Sequence, residues 1–161
     1  MRFAAALAAC TLLLAGCRFF VDDELRGHVE AMAPPGAEVL ECSAEKNWGT
    51  SGVKAWYQCF FGAPGSLEQV GNELLFRAGA AGFSLACDVG RHKVVLEGVS
   101  GNKRVSIEIL EQGFVTAQNV SATDVEIPSG QVLVDITIAK FDEPQRGVGE
   151  RCVPTGRVAD G

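Results

Sequence analysis

Residues that could carry nucleophilic or acid–base catalysis are few in this 161-residue chain. It has no G-x-S-x-G motif, and its two histidines are His28 and His92. The pattern around His28 predicts a helix, whereas His92 lies between Arg91 and Lys93 in a predicted hairpin turn. Either imidazole could act as a base only if the fold placed it beside a serine. We therefore expect two solvated histidines and assign no catalytic residue.

Paired carboxylates offer a second chemistry, because two carboxyl groups roughly 5–9 Å apart can hydrolyse a glycoside. The candidate groups are Glu108 with Glu111, Asp124 with Glu126, and Asp135. Glu108 and Asp135 each alternate with the apolar residues of a predicted strand, so both side chains should point to water. A small secreted hydrolase whose active site the sequence does not locate is one alternative to a non-catalytic binding module, and an inhibitor or a structural spacer is another.

The first seventeen residues have the arrangement of an export signal: Met1-Arg2, an apolar run from Phe3 to Leu14, and then Ala15-Gly16-Cys17. The run is too short for a membrane span, which needs about 20 residues. Leu14 to Cys17 fill the four positions of a lipobox in order, and the segment resembles the signal of a bacterial lipoprotein. The resemblance implies that residues 1–16 are removed and that the Cys17 thiol receives a diacylglyceryl group.

A chain processed in this way is anchored to a membrane through Cys17 and does not span it, since two or three acyl chains hold a protein firmly at the bilayer. The resemblance therefore implies a place at the cell membrane or the outer membrane, facing the periplasm or the exterior. Arg18 follows the cysteine in place of the aspartate typical of inner-membrane retention, which favours the outer membrane. Residues 17–161 then form one small domain.

The charge of the chain argues against nucleic acid as a partner. Loss of Arg2 with the signal leaves 13 basic residues against 20 acidic ones, a net charge of −7. Nucleic acids and anionic lipid surfaces both demand clustered positive charge. The remaining partner classes are an envelope protein and a cell-wall glycan.

Four cysteines remain after Cys10 leaves with the signal and Cys17 is acylated: Cys42, Cys59, Cys87 and Cys152. An even number in an exported chain predicts two disulfides, and the absence of C-x-x-C argues against metal. A hairpin centred near Thr50 would place Cys42 opposite Cys59. This pairing leaves Cys87 to bridge to Cys152. We predict no cofactor and no metal site.

Three aromatic residues around this hairpin form a possible binding patch. Trp48 lies in the predicted loop, and Trp56 and Phe60 share the strand face opposite Tyr57 and Cys59. Both faces of that strand are therefore apolar. One interpretation is that a helix covers one face and a loop or the first helix covers the other. The alternative is an exposed patch, in which Trp48, Trp56 and Phe60 would bind a protein or a glycan.

Two helices are predicted. The first begins at Asp22-Asp23, residues typical of a helix start rather than of a calcium loop. Its apolar stripe is Leu25, Val29 and Met32, and Pro34-Pro35-Gly36 ends it. The second helix follows a capping box over residues 66–69. Gly79 weakens this helix and Gly82 ends it. The apolar face consists of Leu67, Val70, Leu74, Ala78 and Ala81.

The strands alternate around these helices. Residues 38–45 and 53–62 form the hairpin, residues 83–98 and 103–109 form a meander, and residues 132–138 form the strongest strand. The turns predict that Leu96 lies opposite Ile107, Leu85 opposite Leu96, and Cys87 opposite Val94. Residues 114–127 fit either two short strands or an irregular excursion, and we expect a loose tail from about residue 142. The fold class is therefore α+β, an antiparallel sheet with the well-capped helix on one face and a short N-terminal helix.

Overall fold

The computed structural model describes residues 22–45, 52–112 and 126–147. The elements follow the order of the sequence prediction. Two helices, α1 and α2, and six strands, β1 to β6, run in the order α1 (Asp23–Met32), β1 (Glu38–Glu45), β2 (Val53–Pro64), α2 (Leu67–Ala80), β3 (Ser84–Val89), β4 (Lys93–Ser100), β5 (Lys103–Leu110) and β6 (Gln131–Phe141).

All six strands form one antiparallel sheet with the spatial order β1-β2-β6-β5-β4-β3. The last strand, β6, lies between β2 and β5, so it joins the N-terminal hairpin to the meander. It pairs with β2 from Gln131 to Phe141 and with β5 from Leu133 to Lys140. Both edges of β6 are paired and residues 132–136 are all buried, which accounts for the apolar residues on both faces of this strand. The predicted α+β fold with an antiparallel sheet is confirmed.

Both helices begin where the sequence predicts. The Asp22 carboxylate accepts hydrogen bonds from the backbone N–H groups of Glu24 and Leu25, as a helix N-cap does. In α2, the Ser66 hydroxyl accepts from the N–H of Gln69, and the Gln69 side chain accepts from the N–H of Ser66. This reciprocal capping box fixes the start of α2 immediately after β2 ends.

The two helices pack on the same face of the sheet, which we call the helix-covered face. Helix α1 lies against β2 and β6, and α2 lies against β3, β4 and β5. The strands contribute every second side chain to the core between them, because successive side chains alternate between faces. The largest fully buried side chains of this core are Leu25, Val29, Met32, Leu74, Leu96, Val105, Ile107, Ile109, Ile136 and Ile138.

The cysteine pairing predicted for the hairpin is confirmed. Cys42 and Cys59 are register partners on β1 and β2, and their sulfurs form a disulfide with a Cα–Cα distance of 4.1 Å. Cys87 on β3 is also disulfide-bonded. Its predicted partner, Cys152, lies outside the described residues.

The predicted register of the β3–β4 hairpin is wrong by two residues, whereas that of β4 with β5 is confirmed at Leu96 and Ile107. Cys87 lies opposite Leu96, not Val94. The turn is centred one residue later than predicted: the N–H of Gly90 donates to the carbonyl of Lys93 at 2.8 Å, and Arg91 and His92 are the two residues between them. A shift of two residues leaves every side chain on the face predicted for it.

Packing at Gly98 agrees with this register. Leu85 lies opposite Gly98, not opposite Leu96 as predicted. A Cβ atom on Gly98 would lie 2.6 Å from Leu85 Cδ2 and 3.0 Å from Val105 Cγ1. The glycine therefore leaves the space on the helix-covered face that the Leu85 side chain fills.

Simple alternation along residues 38–45 predicts that Leu40 shares a face with Cys42 and Ala44, and this prediction is wrong. A β-bulge shifts the register of β1 between Val39 and Glu41. The extra residue reverses the alternation, and Leu40 packs on the opposite side of the sheet while Ala44 packs against the main core.

Candidate functional site

The sheet face opposite the two helices, which we call the second face, carries the described members of the predicted aromatic patch. Trp56 is half-buried there. Phe60, two residues along the same face, is buried and only 5% exposed. The third member, Trp48, lies outside the described residues, as does the predicted acylation site Cys17. Among the described residues, Trp56 is therefore the member of this patch that is not fully buried.

A row of polar side chains crosses the second face next to Trp56. Each member is the register partner of the next across five strands. Three of them are half-buried and the two at the ends of the row are exposed. From β1 to β4 this polar row consists of Ser43, Gln58, Thr137, Ser106 and Glu97.

Asp135 on β6 lies beside the polar row and is buried, with 7% of its surface exposed. The Gln58 amide nitrogen lies 2.9 Å and 2.8 Å from its two carboxylate oxygens. The Thr137 hydroxyl donates to the same carboxylate at 3.2 Å. The prediction that Asp135 points to water is therefore wrong. Pairing with both β2 and β5 covers the middle of β6, and the polar neighbours supply the hydrogen bonds that water would otherwise give.

Burial raises the pKa of the Asp135 carboxyl, and the hydrogen bonds from Gln58 and Thr137 act in the opposite direction. The nearby Glu108 carboxylate also raises this pKa, because it faces Asp135 across β5 and β6. Glu108 itself forms an ion pair with Lys93 at 3.2 Å, and its side chain is partly buried. Asp135 and Glu108, both predicted to point to water, thus belong to one network. The network also includes the Gln58 amide, the Thr137 hydroxyl and the Lys93 ammonium.

The hydrogen bonds limit what this network can do chemically. Gln58 donates to both oxygens of Asp135, which holds the carboxylate in one orientation and favours its charged form. Glu108 is held in place by its ion pair with the Lys93 ammonium. A general acid needs a proton to give, so this arrangement suits fixed hydrogen bonding better than proton transfer.

One end of the second face is apolar. Phe60, Leu110, Ile127 and Leu133 form a small buried cluster with Leu40 packed against it. The Gln112 amide donates to the carbonyl of Ile127 at 3.1 Å, which holds the chain after β5 close to the chain before β6. The second face is thus divided into an apolar end and the polar row.

A separate ion cluster, formed by Asp22, Glu24, Lys103 and Lys140, fixes the start of α1 on the sheet. The Glu24 carboxylate contacts Lys103 Nζ at 2.7 Å and Lys140 Nζ at 2.6 Å. Asp22 lies 3.6 Å from Lys140 as well as capping the helix. Hydrogen bonds from the two lysines lower the pKa of Glu24 to about 2. The acidic start of α1 therefore caps the helix and also joins it to β5 and β6.

Neither histidine lies in a catalytic arrangement with the described residues. The His28 ring packs edge-on against Phe83, with 5.5 Å between centroids, and burial lowers its pKa. His92 Nδ1 lies 2.8 Å from a carboxylate oxygen of Glu111, so this imidazole is ion-paired when protonated. Within residues 22–45, 52–112 and 126–147, no three or more His, Cys, Asp or Glu side chains are grouped to hold a metal ion.

The sequence did not identify Gln58, Thr137 and Ser106 as members of a candidate site. In the sequence, each of the three is a polar residue between two apolar neighbours on its own strand. This pattern is typical of a solvated face. Only the insertion of β6 between β2 and β5 brings the three together, and that strand order is not readable from alternation alone.

Comparisons with protein-family models, with curated proteins and with solved structures find no match. In the part of the chain that the structure describes, neither helix is long and apolar enough to cross a membrane.

Proposed function

We propose that the chain is a lipid-anchored envelope protein, acylated at Cys17, whose domain is a non-catalytic binding module. Its place would be the cell membrane or outer membrane, with the domain in the periplasm or outside the cell. The lipobox at Leu14 to Cys17 supports the anchor. The observation that carries the binding function is the polar row on the second face, with Trp56 beside it.

The residue types on this face suit an envelope protein or a cell-wall glycan. Hydroxyl and amide groups of Ser43, Ser106 and Gln58 can exchange hydrogen bonds with backbone amides or sugar hydroxyls. An indole such as Trp56 offers a large apolar surface with a polar N–H, which is why tryptophan is common at binding interfaces. The excess of acidic residues argues against nucleic acid.

A small hydrolase is the second candidate, and Asp135 with Glu108 is the pair it would use. The raised pKa of Asp135 is the observation that favours it. The bonds from Gln58 to both Asp135 oxygens and the ion pair of Glu108 with Lys93 favour fixed roles for both carboxylates. Binding is therefore the function that this geometry supports better.

The binding function is tested with the acylated protein, purified cell-wall sacculi and detergent-solubilised envelope proteins as separate probes. We expect Trp56→Ala to weaken retention by one of the two probes at least several-fold. Phe76→Ala is the matched control, because Phe76 is 71% exposed on α2, on the other side of the sheet. This control should bind like the wild type.

Equal retention of wild type, Trp56→Ala and Phe76→Ala would contradict a binding role for the second face. Release of sugar fragments from the sacculi, abolished by Asp135→Asn and by Glu108→Gln, would establish the hydrolase instead.

A further inference from the structure

The start of α1 defines one end of the sheet, which we call the anchor end. It consists of Gly52, the β4–β5 turn at Ser100–Lys103 and residues 140–145. The N–H groups of Phe141 and Gln145 donate to the carbonyls of Asn102 and Gly101, and that of Asp142 donates to the carbonyl of Gly52. Through Glu24, the ion cluster holds the first turn of α1 against this end.

The proposed acylation site is close to the anchor end in sequence. Only residues 18–21 separate Cys17 from Asp22, the N-cap of α1. Even fully extended, the five steps from Cys17 to Asp22 span at most about 18 Å. The opposite end of the sheet, the distal end, consists of the Pro64–Ser66 turn, residues 89–93 and residues 128–131. Along β6, Gln131 is roughly 30 Å from Lys140. The tether is therefore shorter than the sheet.

We propose that the acylated domain stands on its bilayer by the anchor end, with the distal end directed away from the membrane. This inference rests on the proposed acylation of Cys17. Val39 and Val89 lie at or beside the distal end and are 60% and 44% exposed, two of the three large apolar side chains exposed in the described part of the chain. This orientation keeps both side chains away from the lipid.

The lysines of the anchor end contribute little to this orientation. The three lysines of the anchor end are paired: Lys54 contacts Asp142 at 3.0 Å, and Lys103 and Lys140 both contact Glu24. A paired lysine adds little attraction for anionic headgroups. The tether and the ion cluster set the orientation, so it should persist on zwitterionic phosphatidylcholine vesicles and at high salt.

Photocrosslinking to lipid tests the orientation on vesicles of phosphatidylcholine. A benzophenone amino acid replaces Arg104 or Glu143 at the anchor end, or Glu68 or Ser129 at the distal end. All four residues are exposed, and none of their side chains has a hydrogen bond or ion pair with a described residue. We expect several-fold more phospholipid adduct from the two anchor-end positions than from the two distal ones.

A longer tether provides a specific control. Insertion of about twelve Gly and Ser residues between Val21 and Asp22 adds roughly 20 Å of flexible reach. The preference for the anchor end should then fall while acylation and folding are retained. Equal adducts at both ends with the native tether, or a preference for the distal end, would overturn the orientation.

The failure of acylation gives a different result. Intact mass before crosslinking shows whether the acyl chains are present. An unacylated chain would contradict the proposed function, whereas an acylated chain without end preference would contradict only the orientation.

Discussion

The two faces of the sheet differ in how their side chains are buried. On the helix-covered face, the buried strand positions are apolar and two amphipathic helices cover them. The second face divides into a small apolar cluster around Leu133 and a polar row that includes Gln58 and Thr137. The hydrophobic effect alone accounts for the first face, because it is non-directional and needs only apolar area. The second face also depends on directed hydrogen bonds to Asp135.

The two faces therefore differ in how freely their residues can be replaced. An apolar core tolerates many sequences of similar volume, whereas a buried carboxylate requires particular donors at particular positions. The Gln58–Asp135–Thr137 network is therefore where a change of one residue most alters the second face without altering the fold.

The largest expected effect is the loss of stability when a leucine is truncated in either of the two apolar clusters. Leu74 on α2 and Leu133 on β6 are both fully buried, one toward each face. Leu74→Ala and Leu133→Ala should each lower the free energy of unfolding by about 2–5 kcal/mol. Urea denaturation followed by circular dichroism measures both. A loss below about 1 kcal/mol for Leu133→Ala alone would show that the second face has no true core.

The next prediction concerns the buried carboxylate. Asp135→Ala removes the acceptor of the Gln58 amide and should lower the free energy of unfolding by about 1–3 kcal/mol. In the double variant with Gln58→Ala, both partners are absent, so the combined loss should be smaller than the sum of the single losses. Urea denaturation of the four proteins completes the cycle. Additive losses would mean that the two side chains do not interact.

A smaller effect is expected at Gly98 on the helix-covered face. The Cβ of Gly98→Ala would meet Leu85, a flexible side chain, and the less adaptable Val105. We expect a loss of about 1–2 kcal/mol in the free energy of unfolding, because overpacking forces side chains from their preferred rotamers. Combination with Leu85→Ala should recover part of it. Equal stability of Gly98→Ala and wild type would contradict the close packing of β3 on β4.

The smallest expected effect is on pH dependence, where the two sides of the sheet should differ in sign. The pKa of Glu24 falls from 4.5 to about 2 on folding, so its contribution to stability is present above pH 4.5 and is lost toward pH 2. The pKa of Asp135 is raised above 3.8, so the folded state gains stability as the pH falls through that raised pKa toward 3.8.

Two variants separate these contributions. Glu24→Gln should reduce the loss of stability between pH 4.5 and about pH 2. Asp135→Asn should remove the gain in stability that the wild type shows as the pH falls toward 3.8. Thermal unfolding measured from pH 7 to pH 2 in low salt tests both, because exposed ion pairs are screened by salt. The account fails here if Glu24→Gln steepens the acid loss or leaves it unchanged.

Local signals in the sequence predicted much of the fold. The Asp22 cap, the Ser66–Gln69 capping box and the Cys42–Cys59 pairing each depend on residues close in sequence or joined by one turn. Their geometry follows from local backbone hydrogen bonds and from strand alternation, and both can be inferred from residues that are close in sequence.

The predictions that were wrong concern one added residue in β1, the position of one turn, and contacts between residues distant in sequence. Leu40 changes face because of a bulge, and the β3–β4 register depends on which two residues form the turn after Gly90. Asp135 looked solvated because its donors, Gln58 and Thr137, become its neighbours only when β6 lies beside β2. Alternation cannot reveal strand order, so the second face could not be predicted.

The most direct test of the central claim is the intact mass of the protein extracted from its native membrane, before and after reduction with alkylation. The account predicts residues 17–161 with acyl chains on Cys17, and four thiols that alkylate only after reduction. A mass that retains residues 1–16, or one without acyl chains, would contradict the lipid anchor. Thiols that alkylate without reduction would contradict the second disulfide and the exported compartment.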